Sequence, residues 1–154
     1  ATIHRPVNTD NPKKLSSIIK SLEKINKLKK VIFSAHPRTR KKMEDYGIST
    51  NIKIISPLKY FEMINYLSQA DIVITDSGGL QKESFFAKTK CLTIRNETEW
   101  VELVDAGVNI LCKPTQNEII EAYKKLSNSE CDFNLNFYGD GNAASKIVKA
   151  IIEF

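Results

Sequence analysis

The stretch Ile72-Val73-Ile74-Thr75-Asp76-Ser77-Gly78-Gly79-Leu80-Gln81-Lys82-Glu83 runs a short β-branched apolar segment into a glycine pair and then into a segment of helical composition. Ile72 to Thr75 reads as a central strand, because such a run bounded by turn residues suits a strand buried on both faces. Gly78 and Gly79 remove the Cβ atoms that keep a ligand away from the main chain. A helix starting there exposes the amides of residues 77 to 80 as the donors of its first turn, where the helix dipole adds roughly half a positive charge. A phosphate fits such a place. Ser77 adds a hydroxyl donor, and Glu83, about one and a half turns further on, is placed to accept hydrogen bonds from a diol such as a ribose. Together these features indicate a nucleotide. The same residues also spell an ordinary strand-to-helix turn with Asp76 or Ser77 as N-cap, and the stretch alone leaves both readings open.

The chain has 154 residues, of which 42% are hydrophobic, enough for one compact domain that buries about two-thirds of its unfolded surface. No apolar run approaches the roughly 20 residues of a membrane span, and Ala1-Thr2-Ile3-His4-Arg5-Pro6 lacks the layout of a signal peptide. A soluble chain without a membrane partner is expected. Cys91, Cys112 and Cys131 are odd in number and far apart. Neither a disulfide framework nor a zinc site is indicated, and a reducing cytoplasm fits best. The net charge is +5 and the pI about 9.1, but Lys13, Lys14, Lys20, Lys24, Lys27, Lys29 and Lys30 spread around one predicted helix as a solvated surface. With no RNA-recognition signature and no zinc-finger spacing, nucleic acid is not an expected partner.

Outward from the opening stretch, strands and helices alternate. Asn11-Pro12 begins a helix whose stripe Leu15, Ile18, Ile19, Leu22, Ile25 runs to about Leu28. Val31 to Phe33 is a strand, His36-Pro37 opens a polar helix to about Tyr46, and Ile52 to Ile55 is a second short strand. Tyr60 to Gln69 is helical by the spacing of Phe61, Ile64 and Leu67. After the glycine turn come a helix to about Ala87, a strand at Cys91 to Ile94, a helix around Glu99 to Asp105 and a strand at Val108 to Leu111. Thr115 and Glu118 have the spacing of a capping box for a helix from Gln116 to Leu126. Asn128 to Asn136 reads as a loop, and Ala143 to Ile152 as a last amphipathic helix. The pattern predicts right-handed βαβ crossovers and an α/β fold with a mostly parallel sheet covered on both faces. Ligands of such sheets bind at the carboxyl ends of the strands, where the loop at Asp76 lies. Thr2 to Pro6 resembles a strand terminus and the loop after it with little strand before it, as in the C-terminal half of something longer.

Four motifs in order, Thr2-Ile3-His4-Arg5, Thr75 through Glu83, Arg95-Asn96-Glu97-Thr98-Glu99 and Asn136-Phe137-Tyr138-Gly139-Asp140-Gly141, make the chain resemble the UDP-N-acetylglucosamine 2-epimerases over essentially its whole length. The resemblance implies a Rossmann-like three-layer domain, residues 1–154, forming the UDP-binding C-terminal half of a GT-B architecture whose N-terminal catalytic domain is absent. Ser77, Gly78 and Gly79 match the family's diphosphate turn and Glu83 its ribose-binding glutamate. His4 matches a histidine that matters for catalysis beside the diphosphate, with Arg5 adding fixed charge for UDP. Met63 lies on the wall that receives uracil, where the family often has an aromatic. His36 and Arg5 match residues of a regulatory second UDP-sugar site in some bacterial members, and Arg95 and Glu99 lie on the loop facing the sugar. Two departures stand out: His4-Arg5-Pro6-Val7-Asn8 lacks the acid of the usual HRxEN, and Trp100-Val101 replaces a common Arg-Pro.

What the resemblance implies for function is the UDP-binding half of an enzyme that inverts C2 of UDP-N-acetylglucosamine, giving the ManNAc epimer by elimination and re-addition of UDP, for cell-surface polysaccharide precursors. The partner is then a UDP-sugar, the full-length enzyme a cytoplasmic homodimer, and no metal or redox cofactor is involved. The 154-residue chain alone is expected to be inactive but to bind UDP weakly. The carboxylates Glu97, Glu99 and Glu102 read first as a polar loop and helix start, with Glu99 the exception that could serve acid-base work, and Asp76 reads as an N-cap or a loop brace rather than a metal ligand. Alternatives are an epimerase of UDP-diacetamido-uronic acid, the nucleotide-sugar domain of a GT-B glycosyltransferase, and a binding module without a catalytic half.

Overall fold

Ile72 to Thr75 does form a strand buried on both faces, and its neighbours explain why. In the computed structural model, which describes residues 1–154, the elements are α1 (Pro6–Thr9), α2 (Pro12–Asn26), β1 (Ile32–Ser34), α3 (Pro37–Asp45), β2 (Lys53–Ile55), α4 (Tyr60–Gln69), β3 (Ile72–Thr75), α5 (Gly78–Phe86), β4 (Lys90–Ile94), α6 (Val101–Asp105), β5 (Asn109–Cys112), α7 (Gln116–Asn128) and α8 (Ala143–Glu153). β1 pairs with β2, and β4 pairs with β3 and β5 on either side, all in parallel. Residues 1–3 stitch the two sheets together. The Ala1 amino group donates to Ile32 O at 2.8 Å and the Ser34 amide to Ala1 O at 2.9 Å, while Thr2 N donates to Ile74 O at 2.9 Å and Thr2 bridges Thr75 in parallel. With residues 1–3 taken as the first strand, the order from edge to edge is 3-2-1-4-5-6, the Rossmann order.

Side chains along each strand alternate between two cores, as the period of two demands. Ile74, Leu92 and Ile94 pack with the α2 stripe Leu15, Ile18, Ile19, Leu22, Ile25 and with Ile119, Ala122 and Leu126 of α7. Val73 and Cys91 face the other way, onto Leu67 of α4 and Leu80 of α5. This gives the expected three layers. Apart from α8, whose residues are all exposed, the longer helices cover the sheet.

Three local expectations are corrected. Helix α2 stops at Asn26, whose side chain accepts from Val31 N at 2.8 Å, so Lys27, Lys29 and Lys30 lie in the following turn rather than around the helix. The capping box at α7 does not form: Thr115 N is already bonded to Lys113 O, Thr115 makes no side-chain cap, and Glu118 accepts from Lys113 N at 3.0 Å instead. Pro114 between them has no N–H to offer. Finally, Pro6 starts the short helix α1 that the sequence pattern does not announce, in the first-turn position where a missing N–H costs nothing.

Candidate functional site

In a doubly wound sheet the crevice opens where successive crossovers leave in opposite directions. Here that point lies between residues 1–3 and β3, so His4-Arg5 and Asp76-Ser77 leave adjacent strands side by side. Asp76 fastens them together. Its fully buried carboxylate accepts from His4 N at 3.0 Å, Arg5 N at 2.9 Å and Asn8 Nδ2 at 3.0 Å, and His4 Nδ1 lies 3.3 Å from Oδ1. Asp76 is therefore a loop brace, and the cap of α5 is Ser77, whose Oγ accepts from Leu80 N at 3.5 Å. A carboxylate engaged this way has no lone pairs to spare for a metal.

The free donors are fewer than the first turn promises. Ser77 N is held by Thr75 Oγ1 at 3.0 Å and Leu80 N by Ser77 Oγ, which leaves the amides of Gly78 and Gly79 without a side-chain or loop acceptor and without an intrahelical one. The pocket has two free amides, not four. The carboxylate of Glu83, half-buried about one and a half turns along α5, makes no hydrogen bond or ion pair. Above Gly78 stand three charges. Arg95 grips Glu99 with both prongs at 2.7 and 3.1 Å, and Arg5 Nη2 approaches the same carboxylate at 3.8 Å. The Arg95 hydrogen bonds first, then Glu99's own backbone amide, hold the Glu99 carboxyl down to about 2. A carboxyl depressed in this way adds stability above its unfolded value and loses it only as pH falls toward the folded one. Half-exposed as it is, the stabilisation is small.

A buried polar hub that the sequence pattern conceals ties these parts together. Gln81 is fully buried. Its Nε2 donates to Ser77 O at 3.1 Å, and its Oε1 accepts from the Thr98 hydroxyl at 2.6 Å and Asn109 Nδ2 at 2.9 Å. Trp100 Nε1 adds a bond to Gly78 O at 2.9 Å. The loop carrying Arg95 and Glu99 is thus bolted to the glycine turn. Gln81→Leu leaves the buried Asn109 Nδ2 without a partner and takes one from the half-buried Thr98 hydroxyl and Ser77 carbonyl, and at ~1 kcal/mol each it is expected to cost about 3 kcal/mol. A thermal melt should show the midpoint falling by roughly 6–12 °C. Tyr138 joins through Lys82, whose ammonium sits 4.5 Å from the Trp100 ring and 4.1 Å from the Tyr138 ring. Gly139 and Gly141, both at φ +80°, form the turn that brings Tyr138 in.

Not every sequence candidate lies here. His36 caps α3, its Nδ1 accepting from Arg38 N at 3.2 Å, at the carboxyl end of β1 and apart from the charge cluster. Met63 packs on Leu67, Val73, Leu80 and Cys91 beneath α4. Glu97 is exposed and Glu102 half-buried. Burial pushes the thiols of Cys91 and Cys112 up to about 11 and about 12, so neither is a ready nucleophile. Asn8, Gln81 and Asn109 were missed. For Asn8 the signal existed, an amide four residues after His4 in the same short motif. For a buried Gln inside a helix there was none, because its partners come from 17 and 28 residues away.

The family model described as UDP-N-acetylglucosamine 2-epimerase matches residues 1–152. A UDP-2,3-diacetamido-2,3-dideoxy-D-glucuronate 2-epimerase of Pseudomonas aeruginosa is 40% identical over 97% of the chain and 42% of its own length. The UDP-GlcNAc 2-epimerase of Methanocaldococcus jannaschii, solved in complex with UDP-GlcNAc and UDP, superposes with a TM-score of 0.87 at 34% identity, over 99% of this chain and 44% of that one. The Neisseria meningitidis enzyme bound to UDP-GlcNAc gives 0.78 at 28% identity, again covering 44% of its length. The chain thus spans less than half the length of each relative.

Proposed function

This chain belongs to the UDP-N-acetylglucosamine 2-epimerase family, and on that premise we propose that residues 1–154 are the UDP-holding half of an enzyme that inverts C2 of a UDP-N-acetylhexosamine. The observation behind this is the pairing at the switch point, where Asp76 sets His4 and Arg5 beside the two free amides of Gly78 and Gly79.

In the elimination, a base takes the C2 proton, the C1–C2 double bond forms, and the C1–O electron pair leaves with the β-phosphate of UDP. Return of a proton to the opposite face of C2, with UDP re-adding at C1, gives the epimer. This chain serves the leaving group. The amides and the Ser77 hydroxyl hold the diphosphate, Glu83 accepts from the ribose hydroxyls, and Met63 offers its thioether to the uracil. In its protonated form, with Nδ1 turned to Asp76, His4 has Nε2–H to donate to the departing phosphate, and Arg5 steadies the growing charge. The base belongs to the portion outside residues 1–154, so this chain alone is expected to bind UDP weakly and not to epimerise. No helix is long and apolar enough to cross a membrane. The free thiols Cys91, Cys112 and Cys131 suit a reducing cytoplasm, and dimerisation is assigned to the remaining portion.

UDP titration tests the site. Ser77→Ala and Glu83→Ala should each weaken binding about tenfold, the loss of one hydrogen-bonded group at ~1.4 kcal/mol. If both variants hold UDP as the parent does, the assignment is wrong. A second substrate reading, UDP-diacetamido-uronic acid, is favoured by Lys82, a cation with aromatic neighbours and no carboxylate partner beside the sugar-facing loop. Turnover of the full-length protein on both sugars separates the two.

A further inference from the structure

We propose that the Glu99 carboxylate is a built-in stand-in for the ligand's phosphate, occupying the mouth of the anion turn in the free protein so that only a polyanionic ligand displaces it; this rests on the UDP site proposed above. The placement is specific. A Cβ built on Gly78 would lie 3.5 and 3.6 Å from the two Glu99 carboxylate oxygens and 3.7 Å from Arg5 Nη2. The carboxylate therefore hangs over the very residue whose amide is free, and it satisfies the two guanidiniums that a diphosphate would use.

The two partners of that ion pair differ in freedom. The Arg95 side chain is 10% exposed and that of Glu99 51%, so the guanidinium is held in place while the carboxylate has water to retreat into. Displacement needs only side-chain rotation. Glu99 is also ionised throughout the working range, since Arg95 holds its carboxyl near 2, which removes it as a proton carrier near neutral pH and leaves it as a fixed negative charge. Two guanidiniums and one carboxylate present a net single positive charge to an incoming ligand. A neutral nucleoside gains nothing from displacing Glu99, whereas a diphosphate exchanges one carboxylate for several phosphate oxygens and regains both two-pronged donors. Glu99 is then a specificity-determining residue that sets how much negative charge a ligand must bring.

Calorimetric titration of the chain with UDP and with uridine, for the parent and Glu99→Gln, tests this. Glu99→Gln should bind UDP about tenfold more tightly, equivalent to ~1.4 kcal/mol, with uridine affinity unchanged. UDP binding that is no tighter, or an equal gain for uridine, overturns the proposal. Should Glu99→Gln fail to fold, Glu99→Ala carries the same expectation. If Ser77→Ala loses UDP while Glu99→Gln gains none, the stand-in falls and the UDP site remains. If parent, Ser77→Ala and Glu83→Ala all bind UDP alike, the site itself falls.

Discussion

Asp76→Ala is expected to cost about 4 kcal/mol of stability, the largest effect of any single change at the crevice. The carboxylate satisfies two backbone amides and one carboxamide from a segment more than 65 residues away in sequence, and it does so with no exposure to water. Removing it strands the His4 and Arg5 amides and weakens the hold on Asn8, at ~1–3 kcal/mol for each buried group left unpaired. Asn8 keeps one bond, to Ile94 O at 3.2 Å, which is why the total stays below the sum. Against a domain stability of roughly 5–15 kcal/mol this is a large fraction, and the melting midpoint should fall by roughly 8–16 °C. Asp76→Asn preserves the shape but turns one acceptor into a donor facing an N–H, so its loss should be about half as large. A melt in which Asp76→Ala matches the parent would show that the loops at residues 4–5 and 76–77 are held by something else.

Gly78→Ala is the opposite kind of change, and its expected result is a protein as stable as the parent that loses UDP by roughly 10–100-fold. The backbone at Gly78 is helical, and the nearest atoms to an added Cβ are at 3.5 Å, ordinary contact. Exchanging Gly for Ala in a helix favours folding by up to ~1 kcal/mol. Yet the new methyl group points into the space between the free amides and the guanidiniums, where it keeps a phosphate from reaching them. Charge-assisted hydrogen bonds contribute ~1.5–3 kcal/mol each, which sets the range of the loss. Thermal melting beside UDP titration checks both halves, and unchanged UDP affinity would remove the glycine turn from the site.

These two residues show how far reading along the chain reaches. The glycine turn was legible because its logic is local: a buried strand, two residues without Cβ and a helix start lie within a dozen positions. Likewise the α2 stripe and the alternation of strands predict the layers, since burial periodicity is a property of one element at a time. The expected four amides became two, because Thr75 Oγ1 takes one and Ser77 Oγ another, details of side-chain rotamer that no pattern encodes. Asp76 could be named as a brace or a cap, but its partners could not.

From its sequence alone the protein was an α/β chain of this family with an anion turn after Ile72 to Thr75, because strand, helix and turn preferences are set by neighbours in sequence. Only the tertiary structure decided that His4 and Arg5 stand beside that turn, that Gln81 bolts the Arg95 loop to it, and that Glu99 already occupies its mouth. Each of those facts is a contact between residues 17 to 72 positions apart. Such contacts exist only once residues 1–3 have slotted between β1 and β3, since it is the packed sheet that fixes which loops meet at the switch point.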